Sequence, residues 1–115
     1  CKKYVLFPDL EDWKGKILLL ESSENWPNPE KYRKMLKALK QSGIFEVLSG
    51  VLVGKPMDER YTKEYQEILS EVIDNPSLPI VFNLNVGHAT PRAIIPFGIM
   101  AKVDVSAQRI SFLEE

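Results

Sequence analysis

The sequence predicts an α/β domain, a small parallel sheet with helices against it followed by an antiparallel carboxyl-terminal hairpin. Three observations carry this reading. Apolar runs of strand length alternate with stretches of helical periodicity in the order strand, helix, strand, helix, strand. The runs are short and almost continuously apolar, as strands are when helices cover a parallel sheet on both faces. After residue 98 the pattern changes to two alternating runs around Ser106-Ala107-Gln108, which is the signature of a hairpin.

Residues 1–14 read as a linker leading into one domain that spans residues 1–115, with Tyr4-Val5-Leu6-Phe7 either a short strand or part of the linker, and Trp13 a packing residue. Gly15 marks a turn. Lys16-Ile17-Leu18-Leu19-Leu20 then forms a strand expected to be buried on both faces, ending abruptly at Glu21-Ser22-Ser23-Glu24-Asn25. Trp26-Pro27-Asn28-Pro29 is a rigid connection in which Asn28 caps a helix and Pro29 takes its first position, where a missing N–H is harmless. Tyr32, Met35, Leu36 and Leu39 form the apolar stripe of that helix, while Lys31, Arg33, Lys34, Lys37 and Lys40 form a solvated face. Gly43 stops the helix.

Ile44-Phe45 leads into a strand over residues 47–54, closed by Gly54-Lys55-Pro56. Tyr61, Tyr65, Ile68, Leu69, Val72 and Ile73 hold the spacing of a second helix, which Asn75-Pro76 ends. Leu78-Pro79-Ile80-Val81-Phe82 is the third buried strand, and residues 83–91 are a loop that carries His88, the chain's single histidine. Residues 98–105 and 109–113 form the hairpin.

Composition excludes several classes of function. A chain of 115 residues builds one hydrophobic core. With a formal net charge of -1 and no basic cluster, the chain offers no electrostatic footing for nucleic acid or for an anionic membrane. No apolar run approaches the ~20 residues that span a bilayer. The single cysteine has no internal partner, which points to a reducing, cytoplasmic setting. Placed at position 1 with no initiator methionine, it also reads as the start of a piece cut from a longer protein.

The residues that could carry chemistry sit at strand ends, where a rigid sheet sets position and a loop supplies reach. His88 follows Gly87, which leaves one side of the imidazole unobstructed; it is either a catalytic base or a hydrogen-bonding loop residue. Glu21 is either a solvated or capping acid or the partner of a base, with Glu24 competing for that role. A carboxylate that orients an imidazole is two thirds of a hydrolytic triad. The nucleophile is missing: no serine lies in a Gly-x-Ser-x-Gly elbow, and Ser22 and Ser23 read as turn or capping residues. One histidine and one cysteine cannot close a zinc site, and residues 50–56 lack the phosphate-loop spacing, so no metal or other cofactor is expected. Trp26 is either a packing lid or part of a substrate pocket.

Two motifs together make the pattern specific. Trp13-Lys14-Gly15-Lys16-Ile17-Leu18-Leu19-Leu20-Glu21-Ser22-Ser23-Glu24 and Asn83-Leu84-Asn85-Val86-Gly87-His88-Ala89-Thr90-Pro91, the second with Pro96-Phe97-Gly98, resemble the strand-and-glutamate and Gly-His motifs of the LD-carboxypeptidase family of serine peptidases. Residues 36–43, 50–56 and 61–69 match in order and spacing, and the likeness is nearest to the microcin C immunity-type branch rather than the murein-recycling one. The resemblance implies a swivelling-type β/β/α unit, the carboxyl-terminal domain of a two-domain enzyme whose amino-terminal domain holds the serine and oxyanion hole. It implies Glu21 as triad acid and His88 as base. The implied partners are a small peptide or peptide-nucleotide substrate, the enzyme's own amino-terminal domain and, for the full-length protein, a second copy in a homodimer. A non-catalytic module using the same sheet edge for ligand binding or dimerisation is the competing expectation.

Overall fold

Strand β2 (Gly50–Gly54) is buried at every residue and forms the middle of a three-stranded parallel sheet of order β1-β2-β3, flanked by β1 (Ile17–Leu20) and β3 (Ile80–Leu84). The structure, a computed structural model, describes residues 9–21, 28–56, 61–85, 98–104 and 106–113. Register pairs Ile17 with Gly50 through Leu20 with Val53 on one side, and Val51 with Ile80 and Leu52 with Val81 on the other. A second, two-stranded antiparallel sheet joins β4 (Met100–Asp104) to β5 (Arg109–Leu113). The α/β architecture with a separate hairpin is the expected one.

Among the described residues there are four helices: α1 (Leu10–Trp13), α2 (Pro29–Gln41), α3 (Ile44–Val47) and α4 (Thr62–Ile73). The start of α2 is set by local chemistry. Asn28 is extended, its Oδ1 accepts the Lys31 backbone N–H at 2.8 Å, and Pro29 takes the first turn. Its end is Gly43 at φ 85°, a left-handed position that glycine adopts without strain. Tyr32 and Leu36 are buried and Leu39 packs beside them, whereas Met35, expected in the stripe, is 54% exposed. At 100° per residue Met35 lies about 60° from Tyr32, on the side away from Leu36 and at the margin of the apolar face. The cationic face is mostly solvated as expected, but Arg33 reaches across to Glu71 of α4 at 2.8 Å.

Helices α2 and α4 cover one face of the sheet. Tyr65, Ile68, Leu69, Val72 and Ile73 of α4 meet Tyr32 and Leu36 of α2 over Val51 and Val53 of β2, with Leu18, Leu20, Ile80 and Phe82 packed around them. Tyr32 and Tyr65 stack with ring centroids 4.0 Å apart, and Tyr61 tilts against Tyr65 at 5.8 Å. Leu52 is also buried but stands outside that cluster, so the central strand is covered on its other face as well.

Three expectations are corrected. Residues 44–47 form a helical turn, not the approach to a strand: Ile44, Phe45 and Leu48 are buried at helical spacing, and Asn75 Nδ2 donates to the Phe45 carbonyl at 3.2 Å. The strand that follows therefore starts at Gly50 and not at Val47. Strands β1 and β3, read as buried on both faces, are mostly of intermediate exposure, and among the described residues each stands at an edge of the sheet. The third strand also runs on to Leu84, so Asn83 and Leu84 belong to it and not to the loop. Helix α1 has no counterpart in the sequence reading, although Trp13 packs against the core as foreseen.

Leu69 is fully buried in the centre of this cluster. Leu69→Ala is expected to lower unfolding free energy by about 2–5 kcal/mol, and Met35→Ala by less than about 0.5 kcal/mol, both read from urea denaturation of the chain. Burial, and then the neighbouring Tyr65, push the Tyr32 phenol above its ordinary value of 10.0. A raised phenol leaves stability intact below that value and removes it as pH climbs toward the folded-state value. Above about pH 10 the wild-type melting temperature should fall more steeply than that of Tyr32→Phe; parallel curves would show that Tyr32 ionises as freely folded as unfolded.

Candidate functional site

Because β1, β2 and β3 are parallel, their carboxyl ends share one edge of the sheet, and Glu21, Lys55 and Asn85 are the residues that leave it. Glu21 directly follows Leu20 and is exposed. Continuing the register of Leu20 with Val53 sets Glu21 level with Gly54, which pairs on its other side with Leu84. Two strand spacings of ~4.8 Å separate the ends of this row, so the backbones of Glu21 and Leu84 lie roughly 10 Å apart. The Lys55 N–H donates to the Leu84 carbonyl at 2.9 Å, which extends the ladder to the tip of the sheet.

Alternation assigns the faces. Leu18 and Leu20, Val51 and Val53, and Ile80 and Phe82 all point into the cluster under α2 and α4. Leu19, Leu52 and Val81 therefore take the opposite face, and Glu21 follows Leu19 there. On the helix side of the same edge a small cleft opens, lined by Tyr32, Val53, Gly54, Pro56, Thr62, Tyr65, Gln66, Leu69, Phe82 and Asn83. Its tyrosine pair is rigid because the two rings stack on one another in the core.

Strand β3 is irregular where it borders this cleft. Leu52 pairs with Val81 but Gly54 pairs with Leu84, so two residues of β2 span three of β3. Asn83, at φ 61°, supplies the extra residue. Bulges are rare between parallel strands, and asparagine is among the few side chains that tolerate the left-handed region. Sequence reasoning took Asn83 only as the first residue of the Gly-His motif, with no role of its own, and did not find the cleft; the trace of the bulge is an asparagine interrupting an otherwise apolar run.

Of the residues picked out by sequence, Glu21 stands at the carboxyl tip of its strand as expected. Ser22, Ser23, Glu24, Trp26 and His88 lie outside the described residues. The structure brings Glu21 and the strand that leads to His88 to the same sheet edge, one strand apart. A carboxylate held at such a tip can accept an imidazole N–H and stabilise the imidazolium that forms during proton transfer. Among the described residues no group of three His, Cys, Asp or Glu side chains is placed to hold a metal ion, and no helix is long and apolar enough to cross a membrane.

Comparison with known proteins places this geometry in a family. Residues 2–103 match the model of the LD-carboxypeptidase C-terminal domain. The chain is 26% identical over 104 residues to the microcin C7 self-immunity protein MccF of Escherichia coli, covering 88% of this chain and 30% of that protein. Among solved structures it resembles an MccF-like protein from Streptococcus pneumoniae in complex with AMP, with a TM-score of 0.90 and 61% identity over 97% of this chain and 32% of that one. It also resembles the muramoyltetrapeptide carboxypeptidase of Oxalobacter formigenes, with a TM-score of 0.64 and 25% identity over 84% of this chain and 35% of that one. The chain thus spans about a third of the length of the relatives it matches. By this match, and by a fold that agrees with it, the chain belongs to the LD-carboxypeptidase family, and the part of the family it represents is the C-terminal domain.

Proposed function

We propose that this chain supplies the acid and the base of a serine peptidase that hydrolyses an amide or peptide bond next to a small carboxylate-bearing residue. His88 is the general base that takes the serine proton and returns it to the leaving amine, and Glu21 orients the imidazole and stabilises its protonated form. The serine and the oxyanion donors come from the amino-terminal domain of a longer, two-domain protein. The observation that carries this reading is the placement of Glu21 at the tip of a parallel strand one strand removed from the chain that runs to His88, within a domain of the LD-carboxypeptidase family.

Two features support Glu21 over Glu24 as the acid: it adjoins the last paired residue of β1, and the register sets it level with Gly54 and Leu84. Likeness to an AMP-bound MccF-like protein and to MccF supports a peptide-nucleotide as the substrate, and likeness to a muramoyltetrapeptide carboxypeptidase supports a muropeptide. The higher identity favours the first. Neither substrate calls for a metal or an organic cofactor, since the serine, base and acid account for both acylation and deacylation.

In the full-length protein, His88→Ala should lower kcat by about 10⁴-fold or more, and Glu21→Gln by about 10²- to 10⁴-fold, with folding intact. Hydrolysis of an LD-tetrapeptide and of an aminoacyl-sulfamoyl adenylate measures both, and near-normal turnover in His88→Ala would overturn the assignment. The 115 residues by themselves should hydrolyse neither compound, because a base without its nucleophile forms no acyl-enzyme. Turnover by the isolated chain would place the nucleophile within it.

A further inference from the structure

We propose that Asn83 is a positioning residue of this site: its left-handed bulge adds one residue to β3 and so sets Leu84, the last residue of the strand, on Glu21's face of the sheet. The inference rests on the reading of Glu21 and His88 given above.

The register shows what the bulge does. Ahead of it, Ile80 and Phe82 face the helices and Val81 faces away, in step with Val51, Val53 and Leu52. Uninterrupted alternation would bring Asn83 level with Gly54 on Glu21's face and turn Leu84 toward the helices. Instead Leu84 is level with Gly54, and its carbonyl accepts the Lys55 N–H at 2.9 Å. Phe82 and Asn83 together oppose Val53. The phase of β3 is thereby inverted at Leu84, and the strand ends with Leu84, not Asn83, on Glu21's side.

Residue types agree with this assignment. Asn83 is exposed, so no demand of core packing selects asparagine there, whereas its φ of 61° does. Between Glu21 and Leu84 in the same row stands Gly54, buried and without a side chain to project between the two edge strands. It is absent from the glycines of positive φ, so its backbone conformation does not itself require glycine.

The test uses the full-length enzyme and whichever of the LD-tetrapeptide and the aminoacyl-sulfamoyl adenylate it cleaves. Asn83→Gly, which keeps the left-handed backbone open, should cost less than about fivefold in kcat; Asn83→Ala, about tenfold; and Asn83→Val, whose branched side chain resists that conformation, about a hundredfold. KM should stay within about threefold throughout, since misplacing the base affects the reacting geometry more than binding. Melting temperatures are measured alongside, and Asn83→Ala carries the comparison if Asn83→Val fails to fold. Equal kcat in all three variants with His88→Ala inactive overturns the positioning role and leaves the proposed function standing. A loss of kcat that tracks melting temperature instead of backbone preference also overturns it. Activity in His88→Ala overturns the proposed function on which the inference rests.

Discussion

The burial of β2 along its whole length is the constraint on which the rest of the structure depends. Its peptide groups have no water to turn to, so each N–H and C=O needs a partner on β1 or β3. That requirement locks both neighbours in register: Ser49 N–H donates to the Lys16 carbonyl at 2.8 Å and Val51 N–H to the Pro79 carbonyl at 2.9 Å at one end, and Lys55 N–H to Leu84 at the other. The level of Glu21 relative to Leu84 is therefore a property of the central strand, to which neither residue belongs.

What presses the sheet into place is apolar. The α2 and α4 stripes meet over Val51 and Val53, with the Tyr32–Tyr65 stack at the end of the interface nearest the cleft. Such an aromatic pair contributes about 0.5–1.5 kcal/mol beyond its buried area. The Arg33–Glu71 ion pair joins the same two helices, but its side chains are 34% and 66% exposed, and at that exposure it contributes at most about 1 kcal/mol. Shape and burial thus decide how the helices dock, and they place a rigid aromatic wall beside the strand tips.

The legible parts of this fold are those that local chemistry decides. Asn28 before Pro29, Gly43 after the helix, and the turn at Ser106-Ala107-Gln108 announce themselves because a cap, a left-handed glycine and an alternating pattern depend on near neighbours. Residues 44–47 were not legible: a four-residue stretch with three apolar side chains fits a strand as well as a helical turn, and the bond that the Phe45 carbonyl accepts comes from Asn75, thirty residues away. The exposure of β1 and β3 was likewise hidden, since strand order, not composition, determines which strands are edges. For the site, the position of Glu21 followed from where an apolar run stops, but the bulge at Asn83 did not, because a register shift exists only between two strands.

The edge strands carry the candidate chemistry, and their weakness is part of why they can. A bulge in β2 would strand buried peptide groups on both sides, whereas in β3 it disturbs one ladder and leaves Asn83 in water. An uncompensated carboxylate at the tip of the buried strand would be costly to desolvate; at the tip of β1 Glu21 remains solvated. The interior strand can accept only residues that suit burial, and the half-exposed neighbours can accept residues chosen for geometry and charge. Stability and site are thus divided between different strands of one sheet, joined by the register that β2 imposes on both.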